Sequence, residues 1–230
     1  TVLSEKNKEE VNIVTVEDPV EANIDGINQV QVNPKADLTF ASALRSIVRQ
    51  DPDIIMIGEI RDVETAMIAI QASITGHLVV STVHTNSAAN TVTRLLDMGV
   101  DSYLIADSVV GIIAQRLVRR LCPSCKKMRR AEEYELEFMG KDPSVPANIW
   151  EPCGCQSCNG TGYYGRIGVY EIMPVTNSLR VKIASGAKAD EIKKQAVSEG
   201  MHTLRDSAVR LCIEGITSFK EALKISYESE

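Results

Sequence analysis

Two Cys-x-x-Cys pairs constrain what this 230-residue chain can fold into more than any other feature of its sequence. They are Cys122-Pro-Ser-Cys125 and Cys155-Gln-Ser-Cys158. Two thiolates three positions apart can converge on one ion, and two such turns complete the tetrahedral sulfur shell that Zn²⁺ prefers. Because sulfur would fill all four positions and leave none for water, we expect a structural zinc ion and not a catalytic one.

The residues around these pairs favour metal binding, with free thiols or a redox pair as the alternative. Seven cations near the first pair would stabilise thiolates, and they form either a solvated face or a docking surface for a protein partner. These cations are Arg116, Arg119, Arg120, Lys126, Lys127, Arg129 and Arg130. Cys153 could compete as a ligand, whereas Cys212 lies in a helical, apolar pattern that is typical of a core.

Composition and charge exclude several classes of protein. A hydrophobic content of 44% with 24% charged residues excludes a disordered chain. With 4% aromatic residues and a net charge of −6, the chain offers little for a nucleic-acid surface. No apolar run reaches the ~18 residues of a membrane span. No signal peptide opens the chain, so we expect the six cysteines to serve some purpose other than disulfides.

The patterning predicts three regions: an α/β core over residues 1–121, a small cysteine-rich domain over 122–175 and a helical end over 176–230. Strands are predicted at 11–16, 53–57 and 77–83, and helices near 40–50, 62–75, 87–97 and 101–115. The continuous apolar runs of these strands indicate a mostly parallel sheet covered by helices on both faces. Asp62 and Gly76 would cap one helix. A capping box is predicted at Ser218–Glu221, and a weaker one at Thr203–Asp206.

Polar side chains follow three of the predicted strands. Glu59 ends the run Asp53-Ile-Ile-Met-Ile-Gly-Glu59, which delivers a carboxylate to the edge where parallel sheets bind ligands. Glu17 and Asp18 follow the first strand, and His84 follows the third. Each residue alone is more typical of a cap, a solvated loop or a core, but three clusters at three strand ends indicate a nucleotide site with Mg²⁺ or an attacking water at Glu59.

Two arginines add a further candidate feature. Arg45 and Arg49 are four positions apart, so both guanidinium groups can point in one direction from one helix face. The alternative is a pair of surface salt bridges.

Three ordered runs resemble the aspartate box, Walker B motif and histidine box of the secretion ATPase superfamily. They are Thr15-Val-Glu-Asp-Pro-Val-Glu21, the run from Ala43 to Asp62, and Thr75-Gly-His-Leu-Val-Val-Ser-Thr-Val-His-Thr-Asn86. The cysteine-rich insert and the run Gly160–Glu171 behind it resemble the assembly-type members, namely type II secretion ATPases and type IV pilus extension ATPases. The resemblance covers essentially the whole chain.

By this resemblance Glu59 is the Walker B acid that activates water or holds Mg²⁺. The acids of the first box lie near the metal and γ-phosphate, histidines sense the phosphate, and arginine fingers reach a neighbouring subunit. The implied catalytic residues are Glu59, Glu17, Asp18, His84, Arg45 and Arg49, and the implied nucleotide-binding residues are His77, Arg61 and Glu21.

The resemblance also implies an architecture and a task. A RecA-like domain, a zinc-bearing insert and a helical end would form a hexameric ring on the cytoplasmic face of the inner membrane, without spanning it. ATP hydrolysis with Mg²⁺ would drive pilin or pseudopilin assembly through a membrane platform protein. The motifs are common to secretion and pilus systems and do not distinguish them.

One motif of the family is missing. The G-x-x-x-x-G-K-S/T loop that cradles nucleotide phosphates does not occur in this sequence. We therefore expect a C-terminal portion of a longer ATPase, with Thr1–Glu9 the remainder of the helix after that loop, and we expect the portion alone to be inactive. The alternative is a non-catalytic, zinc-stapled interaction module with a vestigial nucleotide site. A chaperone-type zinc module is a weaker possibility, because its C-x-x-C-x-G-x-G unit occurs here once.

Overall fold

The computed structural model describes residues 2–228, which form two compact units. Unit 1 contains the chain up to Thr85 together with Thr91–Val110 and Val175–Ile192, and unit 2 contains Asn86–Asn90, Gly111–Pro174 and the chain from Lys193 onward. The predicted division at residues 121 and 175 follows other boundaries and stays a prediction. Three residues of these predicted regions lie outside the described part of the chain: Thr1, with which the predicted 1–9 helix begins, and residues 229 and 230.

A four-stranded parallel sheet forms the centre of unit 1, in the order β2-β1-β3-β4. Its strands are β1 (Ile13–Glu17), β2 (Asn28–Gln31), β3 (Ile54–Ile57) and β4 (Leu78–Ser81). The register pairs Val16 with Ile57, and Ile57 with Ser81, so the strands end together at one edge. The predicted mixed α/β fold with a parallel sheet is confirmed.

Apolar side chains on one face of the sheet pack against two helices. The helices of the chain are α1 (Val2–Lys6), α2 (Phe40–Ile47), α3 (Val63–Ile74), α4 (Ala88–Asp97), α5 (Ser102–Ser108), α6 (Glu133–Phe138), α7 (Asn177–Ala184), α8 (Ala189–Ser198), α9 (Leu204–Ile213) and α10 (Phe219–Glu228). Val16, Ile55 and Ile57 share a buried cluster with Leu44 of α2 and with alanines of α3. Burial of these side chains is the main stabilisation of unit 1.

The predicted caps of α3 are confirmed. Asp62 Oδ1 accepts a hydrogen bond from the Thr65 N–H at 2.8 Å, which satisfies one of the free donors at the helix start. Gly76, after the last turn, has a φ of 111°, a left-handed conformation that favours glycine.

The second half of the helix predicted near 101–115 is wrong. Helix α5 ends at Ser108, and β5 (Gly111–Leu121) begins three residues later. This strand pairs antiparallel with β8 (Tyr163–Pro174), where Ile113 lies opposite Ile172. Because the partner strand is far away in the sequence, local apolar spacing does not reveal it, and the long pairing overrides the helical pattern.

Unit 2 contains this antiparallel β5–β8 pair and a second antiparallel pair, β6 (Lys127–Arg130) with β7 (Asn148–Glu151). Helices α6, α9 and α10 belong to the same unit. From residue 177 to residue 228 the described chain contains α7 to α10 and no strand, as the sequence predicts. No helix among the described residues is long and apolar enough to cross a membrane.

Of the two predicted capping boxes, the one predicted as weaker is the one that forms completely. At Thr203 the box is complete, since Thr203 N donates to Asp206 Oδ2 at 3.0 Å and Asp206 N donates to Thr203 Oγ1 at 3.2 Å. At Ser218 half of the predicted box is present, since Glu221 N donates to Ser218 Oγ at 3.4 Å, but the predicted return bond to the Glu221 carboxylate is wrong. The Glu221 carboxylate instead accepts from the Arg119 backbone N–H at 3.1 Å and from its guanidinium at 2.9 Å. Arg119, which is 102 residues away, competes successfully for that carboxylate.

Removing the buried charge of Glu221 is expected to destabilise the chain. Burial alone would raise the pKa of this carboxyl, but hydrogen bonds from Arg119 and Lys224 lower it from 4.5 to about 2. We expect Glu221→Gln to lower the free energy of unfolding by about 2 kcal/mol at pH 7 in urea titrations. Since the folded pKa is the lower one, this difference persists above pH 4.5 and shrinks as the pH falls towards 2.

The matched control is Glu214→Gln, which breaks an exposed pair with Arg210 at 3.6 Å. We expect a loss below about 0.5 kcal/mol there. Equal losses for the two variants would show that the Glu221 contacts contribute no more than a surface pair.

Candidate active site and metal centre

Backbone hydrogen bonds fix the main chain on both sides of Glu59. Gly58 N donates to Val16 O of β1 at 2.8 Å, and Ile60 N donates to Thr82 O, just after β4, at 3.0 Å. The Thr82 hydroxyl donates to Gly58 O at 2.6 Å. Glu59 therefore stands between the ends of β1 and β4, as predicted from its position after an apolar strand.

Gly58 allows this close approach. A Cβ atom at that position would lie 3.3 Å from Val16 O and 3.4 Å from the Cα of Glu17. These contacts are tight for a side-chain carbon. Glycine, which has no Cβ atom, therefore allows the ends of the two strands that carry the acids to approach each other.

The two carboxylate oxygens of Glu59 have different surroundings. Oε1 accepts a hydrogen bond from Arg61 Nη2 at 2.5 Å. Oε2 lies 3.4 Å from His84 Nε2, within ion-pair distance, but it is buried and accepts no hydrogen bond from any described residue. The hydrogen bond from Arg61 lowers the pKa of Glu59 against the opposing effect of burial, and His84 lowers it further. Glu59 is thus held as a carboxylate, with Oε1 bound by Arg61 and the buried Oε2 facing His84.

Glu17 and Asp18 lie at the same edge, at the end of β1. Glu17 Oε1 accepts from Thr15 Oγ1 at 2.5 Å and from Gln29 Nε2 at 3.0 Å. Asp18 is exposed, and its charge adds to that of Glu59 in raising the pKa of Arg61, with Glu59 the larger cause. Acids and bases from the ends of β1, β3 and β4 therefore gather at one edge of the sheet.

Three supporting residues of this edge were not predicted from the sequence. Thr15 and Gln29 orient Glu17, and Thr82 holds the carbonyl before Glu59. Thr15 carried a usable signal, because residues two apart in a strand share a face and a buried threonine there needs a partner. Gln29 carried none, since its contact depends on strand pairing.

Other candidate residues are not brought to Glu59. His77 precedes β4, at the opposite end of that strand from His84, and its Nδ1 lies 2.9 Å from Ala72 O. Glu21 is exposed in the loop after β1 and forms no hydrogen bond or ion pair with a described residue. Among the described residues, His84 is therefore the histidine near Glu59, and Glu21 has no contact that ties it to this edge of the sheet.

The two candidate arginines also differ from the expected arrangement. Arg45 forms an ion pair with Glu64 of α3, and both side chains are more than half exposed. Helix α2 ends at Ile47, so Arg49 lies in the following turn and not on the helix face with Arg45. Arg49 is exposed and pairs with no described acid. Contact with a neighbouring subunit stays a prediction for both.

The four predicted cysteine ligands meet at one point of unit 2. Their Sγ atoms all lie within 4.8 Å of one another, with 3.9 Å between Cys122 and Cys155 and 3.9 Å between Cys125 and Cys158. Cys153 is exposed and stands outside the group. This arrangement could hold a metal ion with four sulfur ligands.

Backbone donors support a thiolate at this centre. The N–H groups of Cys155 and Gly162 each donate to Cys158 Sγ at 3.2 Å. Burial would raise the pKa of Cys158, but these donors lower it to about 6. Burial raises the pKa of Cys125 to about 11. Cys212 is buried in α9, as expected of a core residue, and burial raises its pKa to about 11.

Several cations near the first cysteine pair make internal contacts. Arg119 pairs with Glu221 and lies over the Tyr163 ring, with 3.9 Å from Cζ to the centroid. Lys126 donates to Gly215 O at 2.7 Å, and Arg129 binds both Glu135 and Glu151. These three cations have structural partners and do not form a free basic patch.

Comparison with known proteins shows that the chain is similar to type II/IV secretion system proteins over nearly its whole length. The family described as "Type II/IV secretion system protein" matches residues 1–224. The chain is 47% identical over 228 residues to the type II secretion system protein E of Pseudomonas aeruginosa, covering 99% of this chain and 45% of that protein. It is 51% identical over 232 residues to the type IV pilus assembly ATPase PilB of Acinetobacter baylyi, covering 99% and 40%. The chain thus spans less than half the length of these relatives.

A solved structure shares the fold. The chain is similar to the pilus retraction motor PilT with bound ADP, with a TM-score of 0.71 and 25% identity over 97% of this chain and 55% of that one.

Glycines at the cysteine centre provide a test of its packing. Gly162 has a φ of 74°, and a Cβ there would lie 2.5 Å from Pro152 Cβ. Gly160 has a similar φ of 77°, but a Cβ there would meet nothing within 4 Å. We expect Gly162→Ala to lower the free energy of unfolding by about 2 kcal/mol more than Gly160→Ala, because only the former adds a clash to the backbone strain. Equal losses in urea unfolding would contradict this geometry.

Proposed function

Because this chain belongs to the family of type II/IV secretion system proteins, we propose that it is the C-terminal motor segment of a hexameric ATPase. Its ATP hydrolysis drives pilin or pseudopilin assembly, in either a type IV pilus or a type II secretion system. The ring works at the cytoplasmic face of the inner membrane with a platform protein. Relatives named as ATPases in both systems support this proposal.

One observation carries the proposal: the buried Oε2 of Glu59 has no hydrogen-bond partner among the described residues and faces His84. Buried polar atoms are normally satisfied, so a buried carboxylate oxygen that faces only a histidine at 3.4 Å can accept a further bond from a cation or a water at this ligand-binding edge of the sheet. The chemistry of Glu17, Asp18 and Glu59 fits Mg²⁺·ATP, because carboxylates are the oxygen donors that Mg²⁺ binds.

Mg²⁺·ATP supplies the phosphoryl group that is transferred to water. In this proposal Glu59 Oε2 orients that water and accepts its proton, as expected of a carboxylate that stays ionised. Glu17 and Asp18 would hold the cation, and His84 would present Nε2 to the phosphate. Arg45 and Arg49, both exposed, serve a neighbouring subunit, and we retain His77 and Glu21 as nucleotide contacts of the assembled motor, whereas Arg61 contacts Glu59.

Replacing the carboxylate of Glu59 tests this proposal. In the longer parent protein we expect Glu59→Gln to lower kcat at least about 100-fold, since the amide cannot accept the proton. The affinity for Mg²⁺·ATP in isothermal titration should stay nearly unchanged. Glu214→Gln, on the exposed surface, is the control and should keep full turnover. Unchanged turnover in Glu59→Gln would favour a non-catalytic interaction module with a vestigial site.

The 230-residue chain alone is proposed to be inactive. Its sequence contains no G-x-x-x-x-G-K-S/T loop, whose backbone N–H groups and lysine bind nucleotide phosphates. Isothermal titration of this chain with Mg²⁺·ATP should show weak binding, and a phosphate-release assay should show no turnover. Micromolar affinity would contradict this part of the proposal.

We also propose that the four-cysteine centre binds one structural zinc ion. A tetrahedron with Zn–S bonds of 2.3 Å has sulfur–sulfur edges of about 3.8 Å. Three of the Sγ pairs measure 3.8 to 3.9 Å. Cys122 N also donates to Gly162 O at 2.9 Å, where the ends of β5 and β8 meet. A bound ion would hold the ends of β5 and β8 together.

Metal analysis of the purified chain tests the zinc proposal. We expect one zinc per chain by mass spectrometry, and Cys158→Ser should lose the metal and unfold at a lower temperature, because a structural zinc contributes folding energy. Cys153→Ser is the control and should keep both metal and stability. A chain purified without metal, or loss of metal in Cys153→Ser, would contradict the ligand set.

A further inference from the structure

The contact between Arg61 and Glu59 joins an exposed side chain to a nearly buried one. The side chain of Arg61 is 65% exposed, and that of Glu59 is 14% exposed. The two residues are two positions apart between β3 and α3, a spacing that places both side chains on one side of an extended chain. Ile60 between them is hydrogen-bonded to Thr82, and Asp62 after them caps α3. The backbone therefore holds the arginine beside the carboxylate.

Arg61 also determines which carboxylate oxygen is available. The last torsion of a glutamate side chain is broad, so an unrestrained carboxylate samples many orientations. The hydrogen bond of Arg61 to Oε1 removes that freedom and leaves Oε2 buried and facing His84. Because the Arg61 side chain is 65% exposed, solvent screens this ion pair, and we expect its main effect to be on the orientation of the carboxylate and not on stability.

We infer that Arg61 is a positioning residue, which fixes the Glu59 carboxylate so that Oε2 is the oxygen presented to the attacking water. This inference rests on the proposed ATPase function and deepens it. Arg61 acts through Glu59 and not through the nucleotide.

Kinetics of Arg61 variants in the longer parent protein test the inference. We expect Arg61→Ala to lower kcat on the order of 10- to 100-fold, the cost of a misplaced reacting group. The dissociation constant of Mg²⁺·ATP should stay within about threefold of wild type, because no binding contact is lost. Arg61→Lys should retain an intermediate kcat, since lysine keeps one charged donor but not the planar fork.

The control variant is Arg210→Ala, which removes another exposed arginine paired with a glutamate. It should leave kcat unchanged, and the melting temperatures of Arg210→Ala and Arg61→Ala should match the wild type. An unchanged or raised kcat in Arg61→Ala would overturn the inference. So would weaker nucleotide binding with unchanged kcat, which would identify Arg61 as a phosphate contact.

Measuring Glu59→Gln in parallel distinguishes a failure of the inference about Arg61 from a failure of the ATPase proposal. If Glu59→Gln is inactive and Arg61→Ala is fully active, the inference about Arg61 fails and the ATPase proposal stands. If Glu59→Gln keeps its turnover, the ATPase proposal itself fails.

Discussion

The parallel register of β1, β3 and β4 is the constraint on which the candidate site depends. Because Val16, Ile57 and Ser81 lie side by side, the chain leaves all three strands at one edge of the sheet. A shift of one residue would turn Glu59 to the other face. The close contact at Gly58 and the hydrogen bond from Ile60 to Thr82 extend this alignment beyond the last ladder pair. Main-chain hydrogen bonds thus bring together functional side chains that are far apart in the sequence.

Both units bury apolar side chains. Unit 1 buries a cluster of valine, isoleucine, leucine and alanine side chains between its sheet and helices. Unit 2 buries Ile149, Leu204 and Ala208 among others, and it adds a buried ion pair, in which the 1% exposed Glu135 carboxylate accepts two hydrogen bonds from Arg129 at 2.6 and 2.7 Å. Removing one partner of a buried ion pair is strongly destabilising. A metal bound by four thiolates would add to these contacts.

Features controlled by neighbouring residues could be predicted from the sequence. The caps of α3, the four-cysteine cluster and the acid after β3 depend on spacings of a few residues, and the structure shows all three. Features controlled by distant partners could not. The β5 strand depends on β8, and the fate of the Glu221 carboxylate depends on Arg119. His77 and Arg49 fit motif spacing, but His77 begins the predicted 77–83 strand whereas His84 follows it, and helix α2 ends before Arg49.

An experimental structure of the longer parent protein with Mg²⁺ and a non-hydrolysable ATP analogue tests the central claim most directly. We predict that the γ-phosphate lies at the edge of the sheet formed by Glu17, Glu59 and His84. Glu59 Oε2 should lie within hydrogen-bond distance of a water that is aligned for attack on this phosphate. The claim would be contradicted if the analogue bound elsewhere and Glu59 lay beyond the reach of even one bridging water.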